Sequence, residues 1–175
     1  MKYFYFRLVA ILVLPFYGLN TYAQTDTLGV KPDTSYAVPQ TIDASLEVMK
    51  APEGFVVSEL FNGYIHYQAS ASILLTFISD VNYIKICEGM TPEYYESNKL
   101  VFVSKRELLS ENGTRGACYK FTFMLDGIEF TRQMAFCGDL NNTLWVNATY
   151  PSKYNALLDD DFDKALNTID IKLIK

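Results

Sequence analysis

The sequence predicts an α+β protein, exported from the cell and folded as one domain. Three observations carry this. Alternating strands surround Asp126-Gly127, a helix with one apolar stripe closes the chain, and a short cationic and apolar segment opens it.

Lys2 and Arg7 precede the apolar run 8–18, and Thr21–Ala23 offers small residues at the positions a signal peptidase reads. The run falls short of the about 20 residues that span a bilayer, and Pro15 interrupts it. Residues 1–23 therefore read as a signal peptide cut near Ala23–Gln24, in preference to a membrane anchor. No cysteine ends the apolar core and no second long apolar run follows it. Neither a lipid anchor nor integral membrane association after cleavage is expected, and the predicted location is periplasmic or secreted. What remains is roughly 150 residues, enough for one domain with a sizeable core. The formal net charge is −5, and the signal peptide removes two basic residues from that balance. Such acidity lacks the clustered Lys and Arg that nucleic acid requires, and it suits an anionic membrane surface no better.

Residues 24–51 read as a polar leader or linker rich in Thr, Ser, Asp and Pro. Up to about Ala37 it buries too little to offset the entropy of ordering it. Asp26-Thr27-Leu28 resembles a short O-glycosylation acceptor of exported proteins in some Gram-negative bacteria, a match that a plain polar leader also explains. Asn112, Asn141 and Asn147 each open an N-x-Thr triplet, and these are taken as chance.

From Pro52 the chain becomes regular. Phe55–Phe61 and Gly63–Tyr67 read as strands around an Asn62-Gly63 tight turn. Ser72–Ile78 is almost continuously apolar, as expected of a strand covered on both faces. Ser79 or Asp80 can cap a first helical segment, and Thr91 a second with Pro92 at its first position. Leu100–Leu108 alternates as another strand, ended by a turn at Asn112-Gly113.

With Asp126-Gly127 as a two-residue hairpin loop, Leu125 faces Ile128, Phe123 faces Phe130 and Phe121 faces Arg132. The other face pairs Thr122 with Thr131 and Lys120 with Gln133, so one face is mostly apolar and the other polar. A one-residue slip would destroy that separation. A turn at Gly138–Asn142 leads to a third strand. There Leu144, Val146, Ala148 and Tyr150 form the inward set, against Thr143, Trp145, Asn147 and Thr149.

The closing helix is capped at Ser152. Its stripe is Tyr154, Leu157, Leu158, Phe162, Ala165, Leu166 and Ile169, at three- and four-residue spacing. Asp159, Asp160 and Asp163 fall on or beside the opposite face, with Asp161 near the boundary. A calcium loop would need carboxylates alternating with turn residues around a glycine bend, so this run reads as a solvated helix face.

The order "APEGFVVSELFNGYIHYQASASILLTFI", "GMTPEYY", the hairpin through "AFCGDLNNTLWVNATYP", and the final helix resembles the PsbP-like fold, over about Pro52 to Ile169. That superfamily includes an extrinsic protein of photosystem II, a Ran-binding protein and many exported bacterial proteins. The resemblance implies an α/β/α sandwich, a central antiparallel sheet flanked by helices, spanning residues 52–175. It also implies a binding or accessory role more than catalysis. The photosystem and Ran contacts do not carry over, because their motifs find no residue-by-residue match.

Catalytic signals are sparse. His66 is the sole histidine, which excludes a histidine-rich metal site. No G-x-S-x-G, P-loop or G-x-G-x-x-G occurs. No cofactor is expected. Cys118 and Cys137 share a face of the hairpin but lie diagonally, about 7–8 Å apart. A disulfide prefers Cα atoms within about 6.8 Å, so a small bulge near Gly116 or Gly138 would be needed to bridge them. That bridge is the expected one in an oxidising compartment, with Cys87 left as a buried free thiol. Three buried thiols are the alternative, and no C-x-x-C supports redox chemistry.

Two functions stay open. The first is a non-catalytic binding or accessory protein of the bacterial cell envelope, using Tyr94, Tyr95 and Trp145 as a surface for an unknown protein or small-molecule partner. Tyr150, in the inward set, is assigned to packing. The second is a hydrolase-type enzyme whose carboxylate or tyrosine site has no local signature.

Overall fold

The computed structural model describes residues 48–173; the signal peptide and most of the leader lie outside them. The strands are β1 (Val56–Val57), β2 (Gly63–His66), β3 (Ala71–Ser79), β4 (Val101–Leu109), β5 (Arg115–Leu125), β6 (Ile128–Gly138) and β7 (Asn142–Pro151). The helices are α1 (Tyr83–Glu88), α2 (Pro92–Ser97) and α3 (Asn155–Asn167), with 3-10 turns at Ser152–Tyr154 and Ile171–Leu173. The strands form one antiparallel sheet in the order β1-β2-β3-β7-β6-β5-β4.

The central hairpin has the expected register. Asp126 and Gly127, at φ 50° and 79°, form the turn, because a two-residue loop matching the strand twist needs both residues in the left-handed region. Phe123 pairs with Phe130, Phe121 with Arg132, Lys120 with Gln133 and Cys118 with Ala135. Alternation along β5, β6 and β7 then divides the core into two clusters. One joins Ile73, Leu75, Val146 and Ala148 to Leu158, Phe162, Ala165 and Leu166 of α3. The other joins Ala117, Tyr119, Phe121, Met134, Phe136 and Trp145, with Ile86, Tyr94 and Tyr95 packed against them.

Several boundaries differ from the expectation, each for a tertiary reason. Val48 and Met49 are fully buried and belong to the domain, not to the leader. The Val48 carbonyl accepts from Asp170 N at 3.0 Å and the Met49 carbonyl from the Tyr64 hydroxyl at 2.6 Å. Gly63 opens β2 and is not in a tight turn; a Cβ there would lie 1.9 Å from the Ile73 carbonyl oxygen. The close approach of β3 is what demands glycine.

Ser79 is consumed by β3, so Asn82 caps α1 by accepting from Ile84 N at 2.9 Å. Thr91 caps α2 with Pro92 first, as expected. Ser152 begins a 3-10 turn and its hydroxyl meets Thr131 Oγ1 at 3.0 Å, so it does not cap α3. Leu157 is 57% exposed and lies off the buried stripe. Asp159 is not a solvated residue: its carboxylate turns toward Lys120 and Gln133 on the sheet.

Candidate functional site

Among the described residues, a recess opens on each face of the sheet. The smaller lies beneath α3, about 180 Å³, lined by Ser104, Arg106, Cys118, Lys120, Gln133, Asp159 and Asp163. The polar face that β5 and β6 turn toward α3 is covered rather than solvated, so its side chains must find partners inside. They converge on Asp159. Lys120 Nζ donates to Oδ2 at 2.6 Å, while Gln133 Nε2 and the Tyr150 hydroxyl donate to Oδ1 at 2.9 and 2.5 Å. Gln133 Nε2 also reaches the Tyr150 oxygen at 2.6 Å. Arg106 pairs with Asp163 beside them. Burial pushes the Tyr150 hydroxyl far above its ordinary range, and its bond to Asp159 adds to that. Burial likewise raises the Asp163 carboxyl, opposed by Arg106.

Chemically this is a satisfied network. Its cations and carboxylates neutralise one another and its phenol is held protonated. Burial drives the Cys118 thiol to about 12, which keeps it protonated near neutral pH.

The second recess is an open groove of about 580 Å³ between α1 and the β4–β5 pair. Tyr83, Ile84 and Cys87 of α1 form one wall, and Lys105, Glu107, Leu109 and Arg115 the other. Its lining is mixed, apolar from Ile84 and Leu109 and charged from Lys105, Glu107 and Arg115. Lys105 Nζ stands 5.2 Å above the Tyr119 ring, and the Tyr119 hydroxyl donates to the Cys87 carbonyl at 3.2 Å. Burial raises the Cys87 thiol, so it is no activated nucleophile.

The residues predicted for a binding surface come together on this same face, but as packing. Trp145 is 6% exposed and stacks on Phe136 at 6.0 Å, which overturns its assignment to the surface. Its strand neighbours alternate onto the α3 side, leaving the indole to the aromatic cluster of β5 and β6. Tyr94 and Tyr95 are half-buried. Tyr95 stacks on Phe102 at 5.6 Å and its hydroxyl donates to Met90 O at 2.5 Å. His66 is half-buried and accepts from Ala69 N at 3.2 Å through Nδ1, closing a turn.

The expected Cys118–Cys137 disulfide is absent; all three cysteines are free thiols. Cys118 pairs with Ala135 and Cys137 with Gly116, and no register shift interrupts β5–β6, so the bulge that a bridge needs is missing. Cys118 Sγ turns to Gln133 Oε1 at 3.8 Å and Cys137 Sγ to Leu144 O at 3.6 Å. Among the described residues, no group of three or more His, Cys, Asp or Glu side chains could hold a metal.

Sequence reasoning missed Arg132. It is 3% exposed on the aromatic face, and its guanidinium carbon lies 4.7 Å from the Phe123 ring. Nε donates to Thr149 Oγ1 at 3.4 Å, whereas Nη2 has no hydrogen-bond partner among the described residues. Burial lowers its pKa to about 10, opposed by Tyr94. Ser72 Oγ and both amide atoms of Asn147 are also buried without a partner among the described residues. The signal was readable: an arginine opposite Phe121 stands on the wrong face for a charge.

No family model and no curated protein matches the chain. Solved structures do. These define an α+β protein built on one antiparallel sheet, and the chain has a PsbP-like fold. Cyanobacterial PsbP from Synechocystis matches with TM-score 0.50 at 8% identity, over 82% of this chain and 98% of that one. LpqN, a Mycobacterium tuberculosis protein involved in cell envelope biogenesis, matches with TM-score 0.54 at 13% identity, over 68% and 78%. No helix among the described residues is long and apolar enough to cross a membrane.

Proposed function

We propose that the protein is a non-catalytic binding or accessory component of the bacterial cell envelope, working in the periplasm or outside the cell. The observation that carries this is the contrast between the two recesses. The titratable groups beneath α3 are spent on one another, while the groove of about 580 Å³ beside α1 offers apolar and charged side chains to solvent. Its volume falls in the usual range of ligand sites, about 300–1,000 Å³. The envelope setting is supported by the predicted signal peptide and by likeness to LpqN, involved in envelope biogenesis. Helices divided between the two apolar clusters support an α/β/α layering, with α3 on one side and α1 and α2 on the other.

The partner is a protein or small molecule of the envelope. The test is capture from an envelope extract by immobilised protein, with Ile84→Glu and Leu109→Glu as paired controls. Both side chains are exposed, so the variants keep the fold while the groove changes. A partner retained by the wild type and lost by both variants is expected. Capture indifferent to both, or turnover of a small substrate in a hydrolase screen, would overturn the reading.

A further inference from the structure

We propose that Arg132, Asn147 and Ser72, with Thr149, form a binding site for a small oxyanion, the carboxylate or phosphate group of a ligand. The site does not depend on the groove beside α1.

Register brings the four together. Ser72 of β3 pairs with Thr149 of β7, and Thr149 pairs with Arg132 of β6, so the three form a row across adjacent strands. At about 4.8 Å per strand the row spans roughly 10 Å. Asn147 lies two residues from Thr149 on the same strand face, about 7 Å along. The four residues therefore share one patch of a single sheet face.

Its chemistry is lopsided. The partnerless atoms are Arg132 Nη2, Asn147 Nδ2, Ser72 Oγ and Asn147 Oδ1. Three of them can donate and one of them carries positive charge. A buried polar atom left without a partner costs about 1–3 kcal/mol, and more when it is charged. Water could satisfy the amide and the hydroxyl, but it brings no counter-charge to a guanidinium that is 3% exposed. Within the described residues no carboxylate pairs with Arg132. An oxyanion supplies the charge and several acceptor lone pairs at once, and the planar guanidinium fork suits it.

The face is not sealed. Leu74, paired with Asn147, and Thr76, paired with Trp145, are only half-buried, so the row borders a strip that solvent reaches. Trp145 is the chain's one tryptophan and lies two residues from Asn147 on the same face, which makes it a built-in reporter.

The full chain is titrated with sodium phosphate and separately with sodium acetate, against sodium chloride at matched ionic strength. Trp145 emission and melting temperature are read together. The expected result is a saturable emission change and a rise in melting temperature with an oxyanion and not with chloride. Response to phosphate alone assigns a phosphate ligand, and response to acetate a carboxylate. Arg132→Met loses the response, and Ser72→Ala weakens binding by about twofold to tenfold. No response to either oxyanion, an equal response to chloride, or an unchanged response in Arg132→Met overturns the site. If Arg132→Met does not fold, Ser72→Ala and Asn147→Leu decide, and unchanged affinity in both overturns it.

Discussion

Beneath α3, three donors from Lys120, Gln133 and Tyr150 converge on the Asp159 carboxylate. Arg132 is the chain neighbour of Gln133, yet it points to the opposite face and meets no carboxylate there among the described residues. Adjacent residues of one strand thus enter two environments, one internally balanced and one left with excess donors. The difference teaches where to look for function. A balanced network stabilises and orders, and its groups are unavailable to anything else. An unbalanced one costs stability in the isolated protein, and the proposed oxyanion would relieve that cost.

Alkali should break the balanced side first. Cys118, Cys137 and Tyr150 all belong to the α3 cluster, and Tyr119 belongs to the aromatic one. Burial raises all four, the two thiols to about 12 from an ordinary value near 9. A raised acid holds its proton in the native state after the unfolded chain has released it. The stability it contributes is therefore complete below pH 9 and is lost as pH rises toward 12, at about 1.4 kcal/mol per pH unit for each thiol. Urea midpoints should fall steeply between pH 9 and pH 11 and hold steady between 7 and 8. A flat profile to pH 11 would contradict the burial of these thiols.

A smaller break comes from Asp159→Ala, which strands Lys120, Tyr150 and Gln133 together. We expect a loss of about 2–3 kcal/mol by urea denaturation. A loss below 1 kcal/mol would mean that the network is loose and its groups are free for other work. The smallest effect belongs to Asp161→Ala on the same helix. Asp161 pairs with the exposed Lys164 at 3.0 Å within one turn, and its removal should change stability by less than about 0.5 kcal/mol. The contrast between Asp159 and Asp161 isolates what the sheet contributes, since both lie on one helix.

Much of the scaffold was legible in local patterns. Asp126-Gly127 gave the hairpin and its register, because a two-residue loop leaves no freedom in which residues face each other. Thr91-Pro92 gave the start of α2 for the same kind of reason. The candidate sites were less legible. Trp145 looked like a surface anchor because it alternated away from the inward set, but the sheet is covered on that face as well. Asp159 looked solvated because its helix neighbours are acidic, and only the sheet opposite supplies Lys120 and Gln133. The thiols of Cys118 and Cys137 share a face without a bridge because an uninterrupted register keeps them diagonal.

By itself the sequence determined what depends on neighbours along the chain: strand alternation, the Asp126-Gly127 turn, most of the helix stripe and the acidic balance. Each follows from backbone geometry within a few residues. Only the tertiary structure decided that apolar clusters form on both faces of the sheet, that Val48 and Met49 belong to the core, and that Gly63 must yield room to Ile73. It also decided that Arg132, Ser72 and Asn147 stand together without partners among the described residues. Those outcomes depend on which strands become neighbours, and a row across β3, β7 and β6 joins residues 72, 149 and 132, which no local window contains.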